Sequence, residues 1–189
     1  MKSPVLCTDI DGNIYRTLRF GEQVWTLDNL RVTRYQEGSA IHQAIEDKEF
    51  ITKGSVGEGV WCHNLNRPDK ADTYGLLYNW FAVHHPAGLA PAGWRIPTKE
   101  DWDELKRHFN TVDGVKGMKG IRDFCSEYSG SRGINGAFGG QEYTSYWWRQ
   151  MPELSDMNWG CRLSASSSSL DGIDGFQRFG FSVRCVLEQ

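Results

Sequence analysis

The run Asp9-Ile10-Asp11-Gly12 follows a short apolar stretch ending at Cys7. A strand leading into Asp-x-Asp-Gly is one way to present a phosphatase nucleophile. Asp9 would attack phosphorus and Asp11 would act as the acid/base. The same four residues suit a hairpin turn equally well. Phosphatase chemistry of this type needs alternating strands and helices, and this chain offers one clear helix. A later Gly-Asp motif to hold a metal is also missing. The hairpin is therefore the first reading and an enzyme the alternative.

Other reactive residue types are scattered. The five cysteines (Cys7, Cys62, Cys125, Cys161, Cys185) form no Cys-x-x-Cys pair, so they read as small buried hydrophobes. A Cys161–Cys185 bridge stays open, because pairing is a matter of geometry. His42, His63 and the pair His84-His85 lack ligand spacing. Asp171, Asp174 and Glu153 are acids that could gather around calcium, which needs several clustered oxygens. The run 54–59, Gly-Ser-Val-Gly-Glu-Gly, has no lysine to make it a phosphate loop. No metal or cofactor is expected.

Composition narrows the classes. The chain has 189 residues, a formal charge of −3, 21 glycines and 8 tryptophans. Near-balanced charge gives no reason to expect nucleic acid or an anionic membrane as partner. No apolar run reaches the roughly 18 residues of a membrane span. The first residues, Met1–Gly12, lack the apolar core of a secretory leader. Abundant Gly and Trp point to a single turn-rich, aromatic-packed domain.

The elements that must position these residues follow from local pattern. Residues 9–35 alternate as a β-meander, with Asp11-Gly12 at a turn. Residues 36–72 read as polar and irregular. Leu76, Leu77, Trp80 and Phe81 fall at helical spacing. Thr98 with Asp101 makes a short capping box, and Trp102, Leu105 and Phe109 form one apolar stripe, predicting a helix over Thr98–Phe109. Residues 110–141 are Gly-rich and read as loop. Strands are expected at Trp159–Leu163 and Phe179–Val186, separated by a Ser/Gly/Asp-rich run. Trp147 and Trp148 must point to opposite faces of a strand, so at least one is core. Trp94 and Trp102 are expected in the core around the helix start.

Residues 9–35, "YGLLYNWFAV" (74–83), "PAGWRIPTKEDWDEL" (91–105), "SYWW" (145–148) and "FGFSVRCV" (179–186) occur in this order. Together they resemble the Fibrobacter succinogenes major paralogous domain, over about residues 8–187. That family occurs in Bacteroidetes-like bacteria and their phages. It is similar in turn to the C-type lectin-like fold, in the branch holding formylglycine-generating enzymes and the variable proteins of diversity-generating retroelements. The resemblance implies an α+β fold with short antiparallel sheets, one or two helices and extensive loops. The lectin calcium motifs Glu-Pro-Asn and Trp-Asn-Asp are absent. The context of Cys161 does not match the reactive-cysteine motif of formylglycine generation. The chain departs from the family at Arg149–Pro152, where Ser-Ser-Thr-Glu is usual.

In that fold the segment between the Trp-Trp strand and the last strand forms the binding face. The resemblance thus implies non-enzymatic recognition of a protein or glycan receptor on a cell surface. The specific version is a retroelement variable protein serving as a phage receptor-binding or tail component. The alternative is a bacterial surface adhesin of the same family. Either places the protein on a phage particle or a cell surface. Retroelement diversification acts at adenines, and Asn-type codons cannot reach Trp, Met, Gln, Lys or Glu. Trp147, Trp148, Gln150, Met151, Glu153, Met157, Trp159 and Gln177 are then fixed. The reachable ligand-binding set is Arg149, Leu154, Asp156, Asn158, Gly160, Arg162, Ser164, Ala165, Asp171, Gly172, Asp174, Gly175 and Phe176. It is expected to form one exposed patch with Phe176 at its apolar centre, and Leu163 to be buried with Val183.

Overall fold

The first two strands, β1 (Cys7–Thr8) and β2 (Ile14–Tyr15), pair antiparallel around Asp9–Gly12, making the expected hairpin. In this computed structural model, residues 5–111, 114–151, 160–167 and 169–188 are described, without the side chains of 114–116. Gly12 has φ 84°, a left-handed conformation that glycine adopts freely, and its N–H donates to the Asp9 carbonyl. A second hairpin joins β3 (Thr17–Phe20) to β4 (Gln23–Thr26).

The stretch read as irregular contains β5 (His42–Gln43), α1 (Asp47–Ser55), β6 (Val60–His63) and the single turn α2 (Ala71–Tyr74). Helix α1 carries Asp47 and Glu49 in its first turn and Lys53 in its last, matching the helix dipole, and buries Phe50. The segment at helical spacing divides in two: β7 (Leu76–Tyr78), then α3 (Trp80–Val83). Asn79 is the punctuation. Its Oδ1 accepts from the Ala82 N–H, which caps α3, and from the Val60 N–H of the neighbouring strand. Gly75 enters β7 at φ 70°, where a Cβ would lie 2.6 Å from Asn29 Cβ.

After β8 (Trp94–Arg95) comes α4 (Lys99–Thr111), the helix expected at Thr98–Phe109. Its capping box is formed. Asp101 accepts from the Thr98 N–H at 2.7 Å, and Thr98 Oγ1 accepts from the Asp101 N–H at 3.4 Å. Asp101 also pairs with Arg95 and accepts from Gln23 Nε2, tying the helix start to two strands. The Gly-rich stretch is not all loop. It forms α5 (Gly114–Phe124), β9 (Ser129–Arg132) and β10 (Phe138–Gln141). A Cβ on Gly120 would lie 3.1 Å from the Phe109 ring, so its glycine lets α5 approach α4 closely.

The last strands are β11 (Thr144–Trp148), β12 (Gly160–Ser164), β13 (Leu170–Ile173) and β14 (Val186–Leu187). Four sheets result among the described residues: β1-β2, β10-β9-β11-β12-β13, β3-β4-β14-β8 and β5-β6-β7. The Ser-rich run does not separate two paired strands as expected. It turns β12 back onto β13, while the C-terminal segment pairs elsewhere. Phe181 exchanges backbone hydrogen bonds with Tyr78, Gly180 with Arg132, and Ser182 bonds to Tyr146 and Trp148. Val186 then sits between β4 and β8. One segment therefore stitches three sheets together.

Two main cores lie on either side of β11. Trp147, Cys161, Leu163 and Leu170 pack with Trp102, Leu105, Phe109 and Phe124 from the helices. Trp148, Phe181, Val183 and Cys185 pack with Tyr15, Tyr78 and Trp94. Leu163 and Val183 are both fully buried as expected, but in different cores. The architecture is α+β. It contains five α-helices among the described residues rather than one or two.

Candidate functional site

Strand alternation sorts the C-terminal face. In β12, Cys161 and Leu163 point into the helix-side core, so Arg162 and Ser164 point outward. Register places Tyr146, Arg162 and Asp171 in one cross-strand row, and Trp148, Gly160 and Ile173 in the next. Arg162 is exposed; Tyr146, Ser164 and Asp171 are half-buried. Around the turn, the Ser164 and Ser166 hydroxyls are 3.0 Å apart and the Ser167 N–H donates to the Ser164 carbonyl.

A ladder of rings crosses this face. Phe176 is 60 % exposed and stacks on Phe179 at 5.8 Å. Phe179 stacks on Phe181 at 5.4 Å, and Phe181 stacks on Tyr146 at 5.4 Å and contacts Trp148 at 4.6 Å. The ladder runs from solvent into the core. Gly175 lies against the ladder, where a Cβ would make ordinary contact with Phe179 and Phe181 at 3.5–3.6 Å. Two hydrogen bonds fix its turn: the Phe179 N–H to the Phe176 carbonyl, and the Trp80 N–H to the Gln177 carbonyl. His84 stacks on Trp80 at 4.3 Å. Its Nδ1 lies 3.1 Å from the Trp80 carbonyl, and its Nε2 accepts the Met151 N–H at 3.3 Å. The neutral Nδ1–H tautomer satisfies both contacts, and burial lowers the His84 pKa from its ordinary value against the opposing hydrogen bonds to the Trp80 and Arg149 backbone.

Ten of the thirteen expected ligand-binding positions are described. Arg162, Ala165, Gly172, Asp174 and Phe176 are exposed, and Ser164, Asp171 and Gly175 are half-buried. Three expectations are corrected. Gly172 is exposed, but it pairs with Cys161 and so shares the helix-side face, lining a cavity beneath α4. Arg149 is 7 % exposed and lies on the opposite face, beneath α4, because it alternates with Trp148. Gly160 is buried, and a Cβ there would lie 2.6 Å from the Trp147 carbonyl oxygen. Leu154, Asp156 and Asn158 lie outside the described residues, as do Glu153, Met157 and Trp159.

The Asp-x-Asp-Gly carboxylates are engaged in holding the hairpin. Asp9 accepts from the Asp11 and Asn13 N–H groups, from Asn13 Nδ2 and from the Tyr15 hydroxyl. Asp11 accepts from the Thr33 N–H and hydroxyl and from Arg34 Nε, and these bonds hold its pKa low against the opposing effect of burial. A cleft of about 350 Å³ lies beside them, with Asp9 in its wall along with Arg34 and Gln36 and the apolar Val32, Leu89 and Pro91.

All five cysteines are free and buried. Cys161 and Cys185 sit in different cores, so the bridge left open by the sequence is not formed. Burial, with Asp171 adding to it, pushes the Cys161 thiol up to about 12. Among the described residues no group of three or more His, Cys, Asp or Glu side chains is placed to hold a metal. Asp171 is engaged with Ser169 and Lys106. His42 pairs with Glu49, and His85 stacks on Tyr35.

One buried group escaped the sequence reading. Arg184 of the "FGFSVRCV" segment donates from Nε to Asn29 Oδ1 and from its guanidinium to the Phe124 carbonyl, and lies over the Phe124 and Trp147 rings. Trp147 Nε1 donates to the same Asn29 oxygen at 2.8 Å. This knot fixes the root of β11, and with it the face above.

The sequence signature of the Fibrobacter succinogenes major domain matches residues 18–187. The chain belongs to that family. The matched range takes in the capped helix, the Trp-Trp strand, the aromatic ladder and Arg184, and begins after the Asp9–Gly12 hairpin. This family member has no match among curated proteins or solved structures.

Proposed function

We propose that the protein recognises a protein or glycan receptor on a cell surface through the outward face of β11–β13 and the Asp174–Phe179 turn, without transforming it. The observation that carries this reading is the ladder from exposed Phe176 to buried Phe181. An exposed aromatic held by stacked rings contributes contact area while losing little conformational entropy on binding. Arg162, Asp171 and Asp174 beside it offer hydrogen bonds of both polarities. The finer version is a C-type lectin-like variable protein of a phage or a bacterial surface. Two features support it: β14 inserted between β4 and β8 as a closing strand, and the outward placement of seven of the ten described reachable positions.

The test is binding of labelled protein to intact bacteria and to their extracted surface polysaccharides and proteins. Phe176→Ser and Arg162→Ser should each weaken binding at least about tenfold, as for truncated hot-spot residues, with the melting temperature unchanged. Binding that survives both substitutions would place recognition elsewhere and defeat the proposal.

A further inference from the structure

On the opposite side of β12 from the ladder, Lys99, Trp102, Asp103 and Lys106 line one wall of a small cavity. Their spacing puts them on a single face of α4. Arg149, Gly160, Cys161 and Gly172 contribute to the facing wall. Asp103 pairs with Lys99 and Asp171 with Lys106. Arg149, 7 % exposed, forms no ion pair among the described residues, although Asp103, Glu100 and Asp174 act on it from further away. Its Nε is sealed from solvent and has no hydrogen-bond partner. Cys161 is a neutral thiol and supplies no negative charge. Burial lowers the Arg149 pKa, and the nearby Asp103, Glu100 and Asp174 carboxylates oppose that shift without hydrogen-bonding its Nε.

A buried, unpaired charge is costly, and native proteins rarely leave one without a partner. The cavity is about 50 Å³. Counted the same way a water takes roughly 10–15 Å³, so the space suits a group of four or five heavy atoms and excludes a sugar ring. We propose that this cavity binds a small oxyanion of the sulfate, phosphate or carboxylate class, with Arg149 as its main partner and Lys99 and Lys106 at its mouth. The site is independent of the face on the other side of the sheet. It would take either a free ion or the acidic group of a larger ligand.

Calorimetric titration of the whole protein with sulfate, phosphate and acetate at fixed ionic strength, with chloride as control, tests this. At least one oxyanion should bind saturably and raise the melting temperature, while chloride should not. Arg149→Met should weaken that binding about tenfold or more, the scale of a charge-assisted hydrogen bond. Without added anion it should melt no lower than the unaltered protein. Should Arg149→Met fail to fold, Lys106→Gln probes the same cavity through a half-exposed side chain, and weakened binding there supports the site. No saturable binding overturns the proposal. So does affinity unchanged in the folded variant, which leaves an adventitious ion only.

Discussion

Trp147 and Trp148 are neighbours in the chain and both are completely buried, but they face different cores. Trp147 meets Trp102 and Phe124 from the two helices, whereas Trp148 meets Phe181. Strand β11 is thus a wall between helix packing and sheet packing. Period-two alternation forces this, and the sequence alone required at least one of the two rings to be core. It follows that the recognition face and the Arg149 cavity lie on opposite sides of one strand.

The helix-side core sets the first prediction. Trp102 is 4 % exposed and touches Trp25, Trp147 and Phe124. Trp102→Ala should cost about 3–5 kcal/mol in denaturant unfolding, the range for large aromatic truncations. Its Nε1 is buried without a partner. Trp102→Phe removes that orphan donor while keeping most of the ring, and should cost less than half as much as the alanine change. Equal losses for the two variants would show that the indole nitrogen matters.

The second prediction concerns acid. Burial lowers the pKa of both His84 and His63 below the ordinary histidine value of about 6.5. The unfolded chain therefore binds protons that the folded chain refuses. The neutral rings' contribution is complete above the unfolded pKa and declines as pH falls toward the folded values. Unfolding free energy, measured from about pH 8 down to about pH 5, should drop below the unfolded pKa. His84→Asn should flatten part of that slope. A slope unchanged in this variant would remove His84 from the account. Protonation also turns Nε2 from acceptor to donor, which breaks its bond to Met151.

Asp9 gives the third. Its two oxygens accept four hydrogen bonds within the hairpin. Asp9→Asn retains the shape but loses acceptor capacity, and should destabilise the fold by about 1–3 kcal/mol. Hydrolysis of generic phosphate esters should be at background with either protein. Activity in the unaltered protein that disappears with Asp9→Asn would restore the phosphatase alternative.

What was legible in the sequence was whatever a single element encodes. The Thr98–Asp101 box and the Trp102–Leu105–Phe109 stripe specify α4 locally, and Asp11-Gly12 specifies its turn. Helix α5 was hidden because its glycines look like loop. Their use is tertiary: Gly120 lies where a side chain would press on Phe109. Leu76–Phe81 has helical spacing, but Asn79 satisfies backbone groups of both a strand and a helix start, so the segment divides there. Arg184 was invisible as a hub because its partners Asn29 and Phe124 are 155 and 60 residues away. The ladder was only partly legible: Phe176, Phe179 and Phe181 are close in sequence, but Tyr146 joins them only through sheet packing.

The last prediction distinguishes positions within the expected variable set. If the outward face is tuned for different ligands, sister sequences should differ at Arg162, Ser164, Ala165, Asp174 and Phe176, all exposed or half-buried. Each such change should move stability by under about 0.5 kcal/mol, as exposed positions do. Gly160 belongs chemically to the same set but has no room, because a Cβ would meet the Trp147 carbonyl at 2.6 Å. Gly160→Ser should therefore destabilise by about 1–3 kcal/mol, the usual effect of overpacking, and sister sequences should keep glycine there. A library randomised at all six positions and sorted for folded protein measures both effects at once. Folded clones should accept most residues at the five outward positions and return glycine at 160. Free variation at 160, or strong selection at Arg162 and Phe176 without any ligand present, would mean that this face is held by folding rather than left open for recognition.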